Sequence, residues 1–146
     1  MRLGPGGRAT WPLRKQDGTG KVEMWVFEDG AIASDPKTYG ASPMWGLMQG
    51  DGRMAAVGPL YAPYLDGSNT YAISTLNPEK QKPWQEVQYL AIRRARGWHK
   101  WTFDFDPDKG MQILYDDQDV KYFNWNQSKL EGFTSVVLFG DATDSK

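Results

Sequence analysis

The residues that could do chemistry fall into four groups. In the first, Asp104, Asp106, Asp108 and Gly110 spell D-x-D-x-D-x-G. Oxygen ligands at alternate positions are what a calcium loop presents. The glycine falls one place later than a helix-loop-helix calcium site requires, and Tyr115 stands where such a loop ends in Glu. A turn in which Asp caps its own backbone explains the same residues and is preferred. A structural calcium ion on Asp104, Asp106 and Asp108 is the alternative, as is one held by loop carboxylates such as Asp29, Asp141 or Asp144.

The second group mixes rings with amides and carboxylates. It includes Tyr61 and Tyr64 in LYAPYLDGSN, then Trp84, Tyr89, and the run Asn124, Trp125, Asn126. A pyranose has an apolar C–H face on which Trp or Tyr can stack, while nearby polar groups fix its hydroxyls. Core packing is the competing role for any one of these rings. In the third group, Arg93, Arg94, Arg96 and Lys100 surround Trp98. Guanidinium forks match carboxylates and sulfates, so the cluster suits an anionic glycan. A solvated strand end is the simpler reading, since alternation sends Arg93 and Arg94 to opposite faces.

The fourth group would be catalytic. Glu23, Glu28, Glu79, Glu86 and Glu131 are isolated, and the adjacent Glu28 and Asp29 point apart on a strand. His99 is the lone histidine, so any Ser-His-Asp chemistry would depend on it. Its register groups it with core residues, which makes it structural. Asn126-Gln127-Ser128 matches a glycosylation acceptor, a match short enough to arise by chance.

The elements that must position these groups are strands. From Gly97 to Val120 the chain reads as a hairpin. His99, Trp101, Phe103 and Phe105 share one face, with Lys100, Thr102, Asp104 and Asp106 on the other. Pro107-Asp108-Lys109-Gly110 supplies the turn, and Met111, Ile113 and Tyr115 restart the alternation. A second turn is expected at Asp116-Asp117-Gln118-Asp119.

Other strands are predicted over 9–13, with Pro12 marking an edge, and over 21–27, 45–49, 53–57 and 70–76. Residues 85–94 read as a strand rather than a helix because only Gly97 separates them from the hairpin. A short strand over 122–126 and a central one over 133–139 complete nine to eleven, with no confident helix. That pattern gives an antiparallel β-sandwich or barrel.

Composition narrows the function. The chain has 146 residues, enough for one domain with a core. Seven Trp and seven Tyr exceed what one small sandwich buries comfortably, so some are expected in solvent. A net charge of −1 gives no bias toward nucleic acid or an anionic membrane. No apolar run approaches the length of a membrane-spanning helix, so no membrane insertion is expected. The absence of cysteine excludes disulfides and thiolate metal sites. The Gly/Pro-rich start has no hydrophobic signal core and suggests a module excised from a longer protein.

The second half resembles the concanavalin A-like lectin/glucanase superfamily in its laminin G-like branch. The resemblance rests on Trp98, His99, Trp101, Phe103, Phe105, the turn Asp106 to Gly110, and Ile113 to Tyr115. Phe133 to Phe139 followed by Gly140-Asp141 is similar to the family's closing strand. Lys21 to Phe27 occupies the place of an early strand, in a segment of the type G-x-V-x-x-W-V. The resemblance spans roughly 9–142 and is specific over 97–141.

It implies an all-β fold, an antiparallel β-sandwich of the concanavalin A-like jelly-roll type, with one sheet curved. The glucanases of that superfamily carry a strand E-x-D-x-x-E, whose paired carboxylates act as nucleophile and acid. No such string occurs in this chain. The resulting expectation is a non-catalytic carbohydrate-binding module, extracellular or at the cell surface, that joins other domains of a parent chain and binds a polysaccharide without a cofactor. The expected contacts are Tyr61, Tyr64, Trp84, Tyr89, Arg93, Asn124 and Trp125. A laminin G-like protein-interaction module and a divergent polysaccharide hydrolase or lyase are the alternatives.

Overall fold

The computed structural model describes residues 8–13, 20–29, 44–50, 52, 54–61, 69–76, 84–106, 108, 110–123 and 133–139. Among them lie ten strands and no helix. They are β1 (Arg8–Pro12), β2 (Gly20–Glu28), β3 (Met44–Met48), β4 (Met54–Tyr61), β5 (Asn69–Leu76), β6 (Trp84–Arg93), β7 (Gly97–Asp106), β8 (Gly110–Tyr115), β9 (Gln118–Phe123) and β10 (Ser135–Phe139).

They form two antiparallel sheets. One has six strands in the order β1-β10-β3-β4-β5-β6, the other four in the order β2-β7-β8-β9. The interleaving is that of a jelly roll: β2 leaves the neighbourhood of β1 to pair with β7, far along the chain. β1 is an edge strand, as Pro12 led us to expect. β10 has a partner on each side, which fits its apolar character.

The alternation seen in the sequence sets the register. In β2 the partly buried Val22, Met24 and Val26 face the other sheet, while Lys21, Glu23, Trp25 and Phe27 stay exposed. In β7, Trp101 and Phe103 are fully buried, with Asp104 exposed. The core forms where these rings, with Met111 and Ile113 of β8, meet Trp45, Leu47, Tyr71 and Ile73 of the larger sheet. Burying one such side chain contributes about 1.5–3 kcal/mol.

The β7–β8 turn is capped by Asp106, whose Oδ1 accepts the Asp108 N–H at 2.9 Å. That is the Asp-capped turn read from the sequence. The β8–β9 turn is tighter than expected. Only Asp116 and Asp117 lie between the strands, with φ of 48° and 66°, the pattern of a two-residue type I′ hairpin. β9 therefore starts at Gln118, earlier than the 122–126 strand expected.

β4 also runs further than expected, through Gly58 and Pro59 to Tyr61. Pro59 is tolerated because the β3 ladder stops at the pair Trp45↔Val57. β3 and β4 approach closely at Gly46. A Cβ there would lie 2.0 Å from the Ala55 carbonyl oxygen and 2.6 Å from the Ala56 Cα.

Candidate functional site

The outer face of the four-stranded sheet carries large rings in solvent. β2 and β7 pair without a break from Gly20↔Phe105 to Glu28↔Gly97. That register sets Trp25 opposite Lys100 and Phe27 opposite Trp98. Trp25 and Trp98 are each 63% exposed and Phe27 is 49% exposed. Phe27 and Trp98 meet edge to face, with centroids 5.3 Å apart. Such contacts fix the rings at modest entropic cost, because they form across a rigid ladder.

Charges interleave with the rings and neutralise one another. Lys100 Nζ lies 2.5 Å from Asp117 Oδ1, and Lys21 Nζ lies 3.4 Å from Glu23 Oε1. The Asp117 hydrogen bond is the main reason the Lys100 ammonium titrates above the ordinary lysine value. The two-residue turn thus has a second role, since it delivers Asp117 to β7 at the edge of the aromatic face.

Beneath this face, between the sheets, sits a polar network. Glu28 at the end of β2 is buried, and its Oε2 accepts the Tyr71 hydroxyl at 3.0 Å and Arg94 Nε at 2.8 Å. A second Arg94 nitrogen bonds Glu28 Oε1, and both side chains of the pair are 6% exposed. Burial, then the Glu28 charge, push the Tyr71 hydroxyl far above its ordinary pKa. Tyr115, half-buried beside Tyr71 with a ring spacing of 5.6 Å, is pushed up to about 12, chiefly by burial.

His99 stacks on Tyr115 at 4.9 Å. Its Nδ1 lies 2.7 Å from Asp116 Oδ2, and its Nε2 lies 2.9 Å from the Ala95 carbonyl. Asp116 Oδ1 also accepts the Lys100 N–H at 2.8 Å. Burial alone would raise the Asp116 pKa. The bonds from His99 and Lys100 outweigh it and hold the carboxyl below its ordinary value. Both ring nitrogens of His99 thus have partners, and its pairing with Val26 sets it on the inner face of β7 that the alternation indicated.

The residues expected from the sequence to bind ligand are only partly placed. Tyr61 ends β4 opposite Asn69, and Arg93 ends β6 opposite Thr70, so both lie at one end of the larger sheet. Trp84 opens β6 opposite Leu76, roughly 20 Å away along the strand, with Tyr89 between them paired to Ala72. Arg93 is exposed. Tyr64, Asn124 and Trp125 lie outside the described residues.

The basic cluster splits as alternation required, because Arg94 turns inward to Glu28 while Arg93 and Arg96 stay exposed. Asp104 and Asp108 are exposed, and among the described residues no three acidic or imidazole groups converge on a metal position. Two features were missed. The β2 alternation already placed Trp25 and Phe27 away from Val22, Met24 and Val26, a signal that went unused. The Glu28–Arg94 pair joins residues 66 positions apart and left no local trace.

The chain matches no protein-family model. Its structure aligns with a tetrameric galectin from the ball sponge Cinachyrella sp., with a TM-score of 0.63 and 9% identity, over 95% of this chain and 92% of the galectin. The fold is the concanavalin A-like jelly roll. A glycoside hydrolase family 16 endo-glucanase from Bacteroides ovatus aligns with a TM-score of 0.61 and 12% identity over 96% of this chain. A family 16 enzyme of the Bacteroides ovatus mixed linkage glucan locus aligns at 0.59 and 11% over 93% of it. This chain spans only 64% and 62% of those two enzymes, and 54 chains in all match strongly. The jelly roll places the aromatic face on the smaller sheet, and Tyr61, Trp84, Tyr89 and Arg93 on strands of the larger.

Proposed function

We propose that this chain is a non-catalytic carbohydrate-binding module that directs a secreted or surface protein to a polysaccharide. The observation that carries the reading is a surplus of large rings left in solvent on a jelly roll shared with a galectin and two glycoside hydrolases. Trp11, at 44% exposed, joins Trp25, Phe27 and Trp98 in that surplus. The contacts proposed are Tyr61, Trp84, Tyr89 and Arg93, on β4 and β6, together with Tyr64, Asn124 and Trp125, which lie outside the described residues.

The two glutamates whose side chains are described fit a lack of catalysis. Glu28 is locked in the interior by Arg94 and Tyr71, and Glu23 is paired with Lys21. Tyr71 with Arg94 is a tyrosine beside a basic group, as a lyase would use. Tyr71 is 1% exposed, however, so a glycan could not reach it without opening the sandwich.

The test is affinity electrophoresis against neutral and acidic polysaccharides, with assay of reducing ends. Retardation by at least one polysaccharide without product release is expected. Flat mobility across the panel would refute the reading, and product release would replace it with an enzyme. A laminin G-like protein-interaction module is the second reading, favoured by the contiguity of Phe27 and Trp98. It predicts a flat glycan panel and a protein partner lost on Phe27→Ala.

A further inference from the structure

We infer that the outer face of the four-stranded sheet is itself a glycan-binding surface, built from Trp25, Phe27 and Trp98 and selective for neutral polysaccharide. It is separate from the contacts proposed on the larger sheet, and it rests on the carbohydrate-binding reading above.

Three observations converge on it. Two indoles and a phenyl ring stand 63%, 63% and 49% exposed on two hydrogen-bonded strands. A protein interior would claim such rings, and a lone exposed ring would need no explanation. The rings are also fixed: the β2–β7 ladder runs through all nine residue pairs, and Phe27 braces Trp98 edge to face. A preorganised platform loses little freedom on binding.

Charge then selects the occupant. Lys100 is tied to Asp117 and Lys21 to Glu23, so the two lysines that face outward from the paired strands each have an anion beside them, while the exposed Arg96 lies beyond the last ladder pair, Glu28↔Gly97. Exposed Asp104, opposite Lys21 in the ladder, adds a further carboxylate, so the groups on the paired strands offer no excess of positive charge with which to hold a polyanion. Uronates, sulfated glycans and nucleic acids gain their affinity from unpaired cations and would have to break these pairs first. An uncharged sugar needs only an apolar ring face and a few hydroxyl partners, which rings flanked by Lys100 and Glu23 provide. A protein partner would favour a centre depleted of charge, whereas Lys100 lies directly across from Trp25.

The experiment compares the parent chain with Trp25→Ala, Trp98→Ala, the double variant, and Tyr89→Ala/Arg93→Ala. The probes are mixed-linkage β-glucan, arabinogalactan, polygalacturonate and heparan sulfate, at low and high salt. Binding is read by affinity electrophoresis and by the blue shift of tryptophan emission. Near-UV circular dichroism and melting confirm folding, which exposed rings should not disturb. The parent should bind a neutral polysaccharide with little salt dependence. Each Trp variant should lose roughly tenfold in affinity, about 1.4 kcal/mol, and the double variant more.

Three outcomes would overturn the proposal, and they are distinct. Neutral binding kept by the double Trp variant and lost in Tyr89→Ala/Arg93→Ala refutes this surface while leaving the carbohydrate-binding reading intact. Binding confined to the acidic probes and abolished by salt refutes the selectivity. No binding to any probe removes the carbohydrate reading itself.

Discussion

Replacing Arg94 with Ala should be the most damaging single change at the end of β6. The guanidinium is 6% exposed and gives two hydrogen bonds to a Glu28 carboxylate that is equally hidden. Removing it takes the guanidinium away from a carboxylate that is 6% exposed and leaves it the neutral Tyr71 hydroxyl at 3.0 Å in place of a cation. Orphaning one member of a buried pair costs about 3–5 kcal/mol, against 0–1 kcal/mol for a solvated pair. With unfolding entropy of ~2.1 cal/mol/K per residue, a chain of 146 residues loses ~3 °C per kcal/mol. Arg94→Ala should therefore melt about 10–16 °C below the parent by circular dichroism, with the urea midpoint falling in step.

The control separates the orphaned charge from lost packing. A triple variant, Glu28→Leu with Arg94→Met and Tyr71→Phe, removes the charges and the hydroxyl together while keeping most of the volume. It should recover to within a few degrees of the parent, because an apolar set of similar shape replaces a buried pair at little cost. An Arg94→Ala melting point within about 3 °C of the parent would refute the reasoning, since that is the effect of a solvated pair.

Three further outcomes are expected. Gly46→Ala should destabilise by about 3 kcal/mol or more in urea titration, because the new Cβ meets Ala55 and Ala56 backbone atoms that no rotamer change can move; an unchanged midpoint would mean that β3 and β4 are not so close. Thr102→Val should raise the melting point by a few degrees, since the Thr102 hydroxyl is buried without a partner and valine matches its shape; a loss of stability would show the hydroxyl to be bonded. In an alkaline titration followed by tyrosinate absorbance, Tyr71 and Tyr115 should resist ionisation. Their folded pKa values are raised, so their contribution is complete below pH ~10 and fades as pH rises, for Tyr115 through about 12. Uniform ionisation of all seven tyrosines near the ordinary value, with the fold intact, would contradict this.

Much of the fold was legible because period-two alternation is local. Trp101, Phe103 and Phe105 stand out against Lys100, Asp104 and Asp106 without knowledge of any partner strand. Pro12 marked an edge because a missing N–H is tolerated there. The misreadings came where local chemistry understated continuity. Gly58-Pro59 looked like a stop, yet β4 continues because β3 ends first. Asp116-Asp117 adopts positive φ without glycine, which hid the early start of β9. The aromatic face was half legible. Alternation set Trp25 and Phe27 on the polar side of β2, but only long-range pairing with β7 adds Trp98 and Lys100 to them. The Glu28–Arg94 pair was invisible, because nothing near either residue predicts its partner.

The pairing of β1 with β10 has an architectural consequence. Arg8 lies opposite Phe139 in an antiparallel ladder, so the first described strand begins and the last described strand finishes one strand spacing apart, about 4.8 Å. A host polypeptide could receive the whole jelly roll as a cassette at a surface loop without splaying its own structure. By the same geometry, a short splice joining those ends and a new opening at Asp116-Asp117 should yield a circular permutant that still folds.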